Sequence, residues 1–143
     1  MPNQCKNHLS IINGDISELN PYISDALTSE NKHLDIDKIF DNDFQKIVDK
    51  LFIEELYSDT GKIEGNTFEF LTPWKPPIYV VKKLSEKMNK SIRLAYSETG
   101  MDFIGEMVVH PNATMQINES KTEDAPEHLL KEFGLDTEDD QAA

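Results

Sequence analysis

The stretch Thr72–Val109, TPWKPPIYVVKKLSEKMNKSIRLAYSETGMDFIGEMVV, holds three kinds of local order in succession. It opens with Thr72-Pro73-Trp74-Lys75-Pro76-Pro77, in which each proline fixes its own φ and restricts the residue before it, so the chain turns a rigid corner. A helix is expected over Pro76–Asn89. The two prolines fall in its first turn, where a missing N–H costs least, and Val80, Val81, Leu84 and Met88 recur on one face. Ser91–Tyr96 and Met101–His110 are then β-rich runs joined by Ser97–Gly100, with Gly100 available for a positive φ. Alternation places Ile92, Leu94 and Tyr96 on one side of the first run.

Upstream, His8–Asn13 (HLSIIN) reads as a first strand ended by the Asn13-Gly14 turn signal. Asp15 or Ser17 is placed to cap a helix whose apolar positions are Ile16, Leu19, Ile23 and Leu27, with Pro21 near its start. Lys32–Phe40 alternates Leu34, Ile36 and Ile39 with charged residues, a half-buried strand pattern. Asp41 or Asp43 starts another helix, with a stripe of Phe44, Ile47, Val48, Leu51, Leu56 and Tyr57 and a stop at Gly61. Lys62–Gly65 reads as a turn and Asn66–Leu71 as a strand. No internal repeat or low-complexity tract is present. Strands interleaved with helices in this order predict an α+β domain.

The proline corner, the helix and the run Leu94-Ala95-Tyr96-Ser97-Glu98-Thr99-Gly100-Met101-Asp102-Phe103-Ile104-Gly105-Glu106 together resemble the YubB-type ferredoxin-like domain family of phages and plasmids. That family's pattern is a T-x-W-x-P-P corner, a helix and a Y-x-E-x-G-x-x-F-x-G hairpin. The opening Met1-Pro2-Asn3-Gln4-Cys5-Lys6-Asn7, leading into a strand, is similar to its start. The likeness covers the first strand and most of Phe68–Val109. Asn31–Gly65 matches in element order alone, and the tail does not match. The resemblance implies a ferredoxin-like antiparallel sheet with helices packed on one face. It brings no catalytic residues, because the family is largely uncharacterised.

Length fits one domain: 143 residues bury enough surface to fold without a disulfide or metal staple. Residues 1–118 are expected to form the α+β domain, with 31–65 its divergent middle. Residues 119–143 form an acidic tail that sets nine acids against Lys121 and Lys131. Inside it, Pro126–Phe133 (PEHLLKEF) is a short amphipathic helix stopped by Gly134. It either docks on its own domain or serves as a flexible acidic arm that orders on a partner. Fourteen Lys and Arg against 27 Asp and Glu give a net charge of −13. Such a field repels nucleic acid and anionic membranes, so direct binding to either is not expected. The apolar runs are too short to span a bilayer, and MPNQCKNHLS has no leader-like apolar stretch. With Cys5 the one cysteine, the expected compartment is the reducing cytoplasm, the host's if the chain is phage-encoded.

Few residues suggest chemistry. Cys5 and His8 have the spacing of half a metal site, but the other histidines are isolated, so no metal or cofactor is expected. Tyr96, Glu98 and Asp102 flank the hairpin, where paired carboxylates divide acid and base roles if their environments differ. No phosphate loop, dinucleotide fingerprint or nucleophile elbow occurs. Trp74 either anchors the corner or is a recognition aromatic. The expectation is therefore a non-enzymatic accessory protein of phage or plasmid type. It binds and inhibits a host or defence protein with a basic surface, by acidic nucleic-acid mimicry. The partner-binding candidates are Trp74, Tyr96, Glu98, Asp102, Glu127, Leu130, Phe133, Glu138, Asp139 and Asp140. The alternatives are a small hydrolase-like enzyme using the 96–102 hairpin and a structural homo-oligomer.

Overall fold

A computed structural model describes residues 4–25, 30–41 and 60–136. Strand β1 (Gln4–Ile11) runs through the middle of the sheet, antiparallel to β5 (Thr67–Pro73) on one side and to β6 (Ile92–Glu98) on the other. Outside β5 lies the short β4 (Lys62–Glu64). Beyond β6 come β7 (Phe103–Val109) and β8 (Met115–Ser120), giving the order β4-β5-β1-β6-β7-β8. β5 and β6 both oppose β1, so they are parallel to each other with β1 between them. The helix that joins them, α2 (Ile78–Met88), makes this a split βαβ unit, the hallmark of ferredoxin-like folds. The chain is thus α+β, with an antiparallel sheet and α2 on one face. A separate ribbon pairs β2 (Ile23–Asp25) with β3 (Lys32–Leu34).

Period-two alternation in β1 sends Cys5, Asn7, Leu9 and Ile11 to the helix face. There they meet Phe68, Phe70, Ile92, Leu94, Tyr96, Met107 and Val109 from the neighbouring strands and Val80, Val81 and Leu84 from α2. Asn89, at φ 54°, ends α2 in the left-handed conformation its short polar side chain tolerates. The strand begins four residues before its expected start, because Cys5 and Asn7 continue the buried alternation that polar neighbours obscure.

Local structure differs from expectation at several points. The segment after Asp15 is a 3-10 helix, Ile16–Tyr22, closed by a capping box between Asp15 and Glu18 and ended where Ile23 enters β2. Lys32–Phe40 is not one strand. Asp35 accepts a hydrogen bond from the Lys38 N–H and starts α1 (Ile36–Phe40), which buries Ile36, Ile39 and Phe40 at helical spacing. The expected helix carrying Phe44 to Tyr57 lies outside the described residues, as does Leu27. Lys62–Gly65 holds strand β4 rather than a bare turn, and Gly61 exchanges backbone hydrogen bonds with Lys32. At the hairpin tip the positive φ falls on Asp102 (57°), not on Gly100. β8 was not anticipated, because Gln116, Asn118 and Glu119 dilute its alternation.

The tail helix α3 (Glu127–Glu132) docks on the opposite face of the sheet, where Leu129 and Phe133 cover Ala95 and Ile104. Both faces of β6 are therefore occupied, one by the main core and one by α3. Among the described residues no helix is long and apolar enough to cross a membrane.

Gly105 shows how tightly the outer strands are fitted. It sits beside Tyr96 in the ladder, and a Cβ there would lie 2.7 Å from the Tyr96 hydroxyl and 2.8 Å from the Asn118 carbonyl oxygen. Gly105→Ala is expected to destabilise the protein by about 1–3 kcal/mol, read as a lower thermal midpoint. An unchanged midpoint would show that β8 yields without cost.

Candidate functional site

The proline corner is built from two tight turns. The Lys75 N–H donates to the Pro73 carbonyl at 2.7 Å, which closes a three-residue γ-turn with Trp74 at its centre. Trp74 has φ 66°, the strained positive-φ form of that turn and an uncommon setting for a bulky side chain. Pro77, at φ −83° and ψ 67°, centres an inverse γ-turn through the Ile78 N–H and the Pro76 carbonyl, and hands the chain to α2. A polar chain through the core holds this corner. The buried Asn7 amide donates to Thr72 Oγ1 at 2.9 Å, and the Thr72 hydroxyl donates to the Lys75 carbonyl at 2.8 Å. Trp74 remains 46% exposed. The corner is anchored by Asn7, Thr72 and the buried Pro76, and the tryptophan is left on the surface.

The hairpin residues divide. Tyr96 is buried, edge-on to Phe103, and donates to Glu119 Oε1 at 2.6 Å. Burial, followed by the Glu119 carboxylate, pushes its phenol well above the usual range. Glu98 is also buried, and its two oxygens accept the Gly100 and Met101 N–H groups at 2.8 and 2.7 Å. It is thereby committed to holding the tip. Asp102 is exposed and accepts from the Thr122 N–H at 3.2 Å. The tyrosine and the two carboxylates therefore do not converge on a shared cleft; each is spent on a separate structural contact. Cys5 is buried near Glu98, and burial foremost, with the Glu98 charge second, pushes its thiol up to about 12.

On the opposite face a second constellation holds α3. Arg93 grips Glu132 with two hydrogen bonds, 2.9 and 3.3 Å, and stands 3.5 Å from Glu106. His8 Nδ1 lies 3.0 Å from Glu132 Oε2, the oxygen that Arg93 bonds at 3.3 Å, and the His8 ring stacks on Phe133 at 4.3 Å. His128 of α3 bonds Glu106. Burial alone would raise the Glu132 carboxyl. The hydrogen bonds and charges of His8 and Arg93 outweigh it and hold that carboxyl down at about 2. Reading the sequence missed this group entirely, since its members sit on different strands and on the tail.

Of the remaining sequence candidates, Phe133 is buried and Leu130 half-buried against the sheet, so neither is a free anchor. Glu127 is exposed and pairs with Lys131 at 3.5 Å. Glu138, Asp139 and Asp140 lie outside the described residues. Among the described residues no cluster of three or more His, Cys, Asp or Glu side chains is arranged to hold a metal.

Residues 54–138 match the family described as the ferredoxin-like domain in Api92-like protein. The chain belongs to this family. The matched span includes β4 to β8 and α3, so the family's domain takes in both the proline corner and the docked tail helix. No curated protein and no solved structure matches the chain.

Two outcomes test this description. The folded value of Glu132, about 2, lies below that of an unfolded glutamate, about 4.3. Its contribution to stability is therefore complete above that unfolded value and is lost as pH falls to about 2. Glu132→Gln should lower the thermal midpoint near neutrality, at a cost of about 2 kcal/mol. It should also flatten the midpoint's fall between about pH 5 and pH 2; parallel wild-type and variant profiles would refute the clamp. Cys5 should resist a thiol-titrating disulfide reagent at pH 8 until denaturant is added, because the neutral, buried thiol is a poor nucleophile.

Proposed function

We propose that the protein is a non-enzymatic interaction module that binds and inhibits a protein partner with a basic surface. The observation that carries this reading is Trp74, half-exposed yet held at a strained φ by a buried polar chain. Strain of this kind persists only where the surroundings over-determine it, and it clusters at functional positions. Met101, 63% exposed at the hairpin tip, lies at the same end of the sheet, and Tyr79, 50% exposed, stands in the first turn of α2. An exposed tryptophan with apolar neighbours is the composition of an interface anchor. The acids Asp102, Glu119, Glu123 and Asp124 are exposed around the ends of β7 and β8 that meet this tip. They supply a field that steers a basic partner and imitates the charge of a nucleic acid.

The likeness of the corner and hairpin to proteins of phages and plasmids supports a mobile-element origin. On that reading the partner is a host or defence protein that handles nucleic acid in the cytoplasm. Direct contact with nucleic acid is disfavoured, because the lone arginine is already engaged by Glu132 and Glu106. An enzymatic role for the 96–102 hairpin is disfavoured by the commitments of Tyr96 and Glu98.

The test is affinity capture from host lysate at low and high salt with wild-type protein and Trp74→Gly. Glycine takes a positive φ without strain, so the variant should keep a thermal midpoint within a few degrees of wild type. It should nevertheless lose the partner. The wild-type complex should weaken steeply between about 0.05 and 0.5 M salt as screening shortens. A folded variant that captures the same protein as wild type would remove Trp74 as the anchor. A complex equally tight at high salt would end the charge-mimicry reading.

A further inference from the structure

The sheet ends on two unlike edges. β4 is three residues long and carries Lys62 and Glu64, a short, charged edge of the kind that discourages further pairing. β8 is six residues long and holds no lysine, arginine or proline. Residues 111–118, PNATMQIN, include no charged side chain, in a chain with 27 acids and 14 bases. The ladder fixes which backbone groups of β8 are already used. The His110 N–H donates to the Thr114 carbonyl, so these two form a hydrogen-bonded pair, and such pairs alternate along an antiparallel ladder. Gln116, Asn118 and Ser120 therefore turn their N–H and C=O groups to β7, while Met115, Ile117 and Glu119 turn theirs away from the sheet. Among the described residues no strand lies beyond β8. Its side chains are open as well: Ile117 is 47% exposed, and Gln116 and Asn118 are exposed beside it.

We propose that β8 pairs antiparallel with β8 of a second copy of this chain, centred on Ile117, so that the two sheets become continuous. The strand suits itself as a partner in this register. Ile117 meets Ile117 of the second copy and Met115 meets Glu119, so all three outward-bonding residues are used, and each such pair closes two backbone hydrogen bonds. On the core face the two Ile117 side chains cover each other. Glu119, whose carboxylate accepts from Tyr96, stands against a methionine rather than a second carboxylate. On the opposite face Gln116 lies across from Asn118, two amides that both donate and accept. Charge argues for a second copy over a basic or acidic partner. With −13 on every chain, two copies repel least where neither brings a charge to the axis, and 111–118 is such a place. A charged partner strand would find no counter-charge there.

This edge is independent of the Trp74 reading: Trp74 follows β5, and β1, β6 and β7 separate β5 from β8. One strand pair makes a small interface, so the dimer should have a dissociation constant of about 1–100 µM. Sedimentation of the full chain between about 1 and 500 µM brackets that value. Amide hydrogen exchange at both ends of the range reads the register. At the dilute end Gln116, Asn118 and Ser120 should be protected by β7, while Met115, Ile117 and Glu119 exchange freely. At the concentrated end those last three should slow severalfold. Added salt should tighten the dimer, because screening relieves the repulsion between two acidic chains, the reverse of what is expected for a basic partner. Ile117→Lys sets like charges opposite each other on an exposed edge and should raise the dissociation constant by about tenfold or more. The exchange pattern is read on the unaltered chain and stands whatever the variant's stability. A monomer at every concentration, a dimer that leaves the three amides unprotected, an undiminished dimer in folded Ile117→Lys, or a dimer that salt dissolves would each overturn the proposal.

Discussion

Everything in this fold depends on the two-sidedness of β1. A strand with neighbours on both edges, the core on one face and α3 over part of the other places its two alternating sets of residues in distinct environments. Cys5, Asn7, Leu9 and Ile11 enter the main core, and Lys6, His8 and Ser10 face the side that carries α3. A slip of one residue would exchange these sets and drive Lys6 and His8 into the apolar layer. Asn7 raises the cost of such a slip, because in the observed register its buried amide donates to acceptors in β1 and β5.

The same side chain connects the core to the surface. Asn7 positions Thr72, and Thr72 holds the Lys75 carbonyl, so the corner residue between them is constrained from below rather than by its own packing. A buried polar chain with every member satisfied is rigid, and a partly satisfied one is costly. That explains how Trp74 tolerates a positive φ without burying its ring. The strain is local and its support comes from the far more stable centre of the sheet.

Local signals were readable and distant ones were not. The proline corner, α2 and the β6–β7 hairpin were evident from Thr72–Val109 because prolines, helical spacing and a turn signal act over a few residues. The end of β1 and the stop of α3 at Gly134 were readable for the same reason. Lys32–Phe40 misled because Leu34 and Ile36 have the spacing of a strand while Ile36, Ile39 and Phe40 have that of a helix, and Asp35 reveals itself as a cap only when Ser24 and Lys38 are beside it. The clamp on α3 had no sequence signature at all. Glu132 stands 39 residues from Arg93 and 124 from His8. Tyr96, Glu98 and Asp102 were identified as neighbours along the chain, and alternation does put Tyr96 and Glu98 on one face, but each of the three is taken up by its own partner.

The clamp also explains how so acidic a chain keeps an acidic tail helix attached. Four acids, Glu106, Glu127, Glu132 and Glu69, lie on or beside one face, a density that alone would repel α3. Arg93 sits between Glu106 and Glu132 and offsets part of their charge, and His8 and His128 contact them from either side. Apolar contact by Leu129 and Phe133 then suffices to dock the helix. The consequence falls on the outer surface. Once Arg93 is committed inward, the acids around the hairpin tip face solvent with few cations to offset them. The acidic field follows from where the cations are spent as much as from how many acids there are.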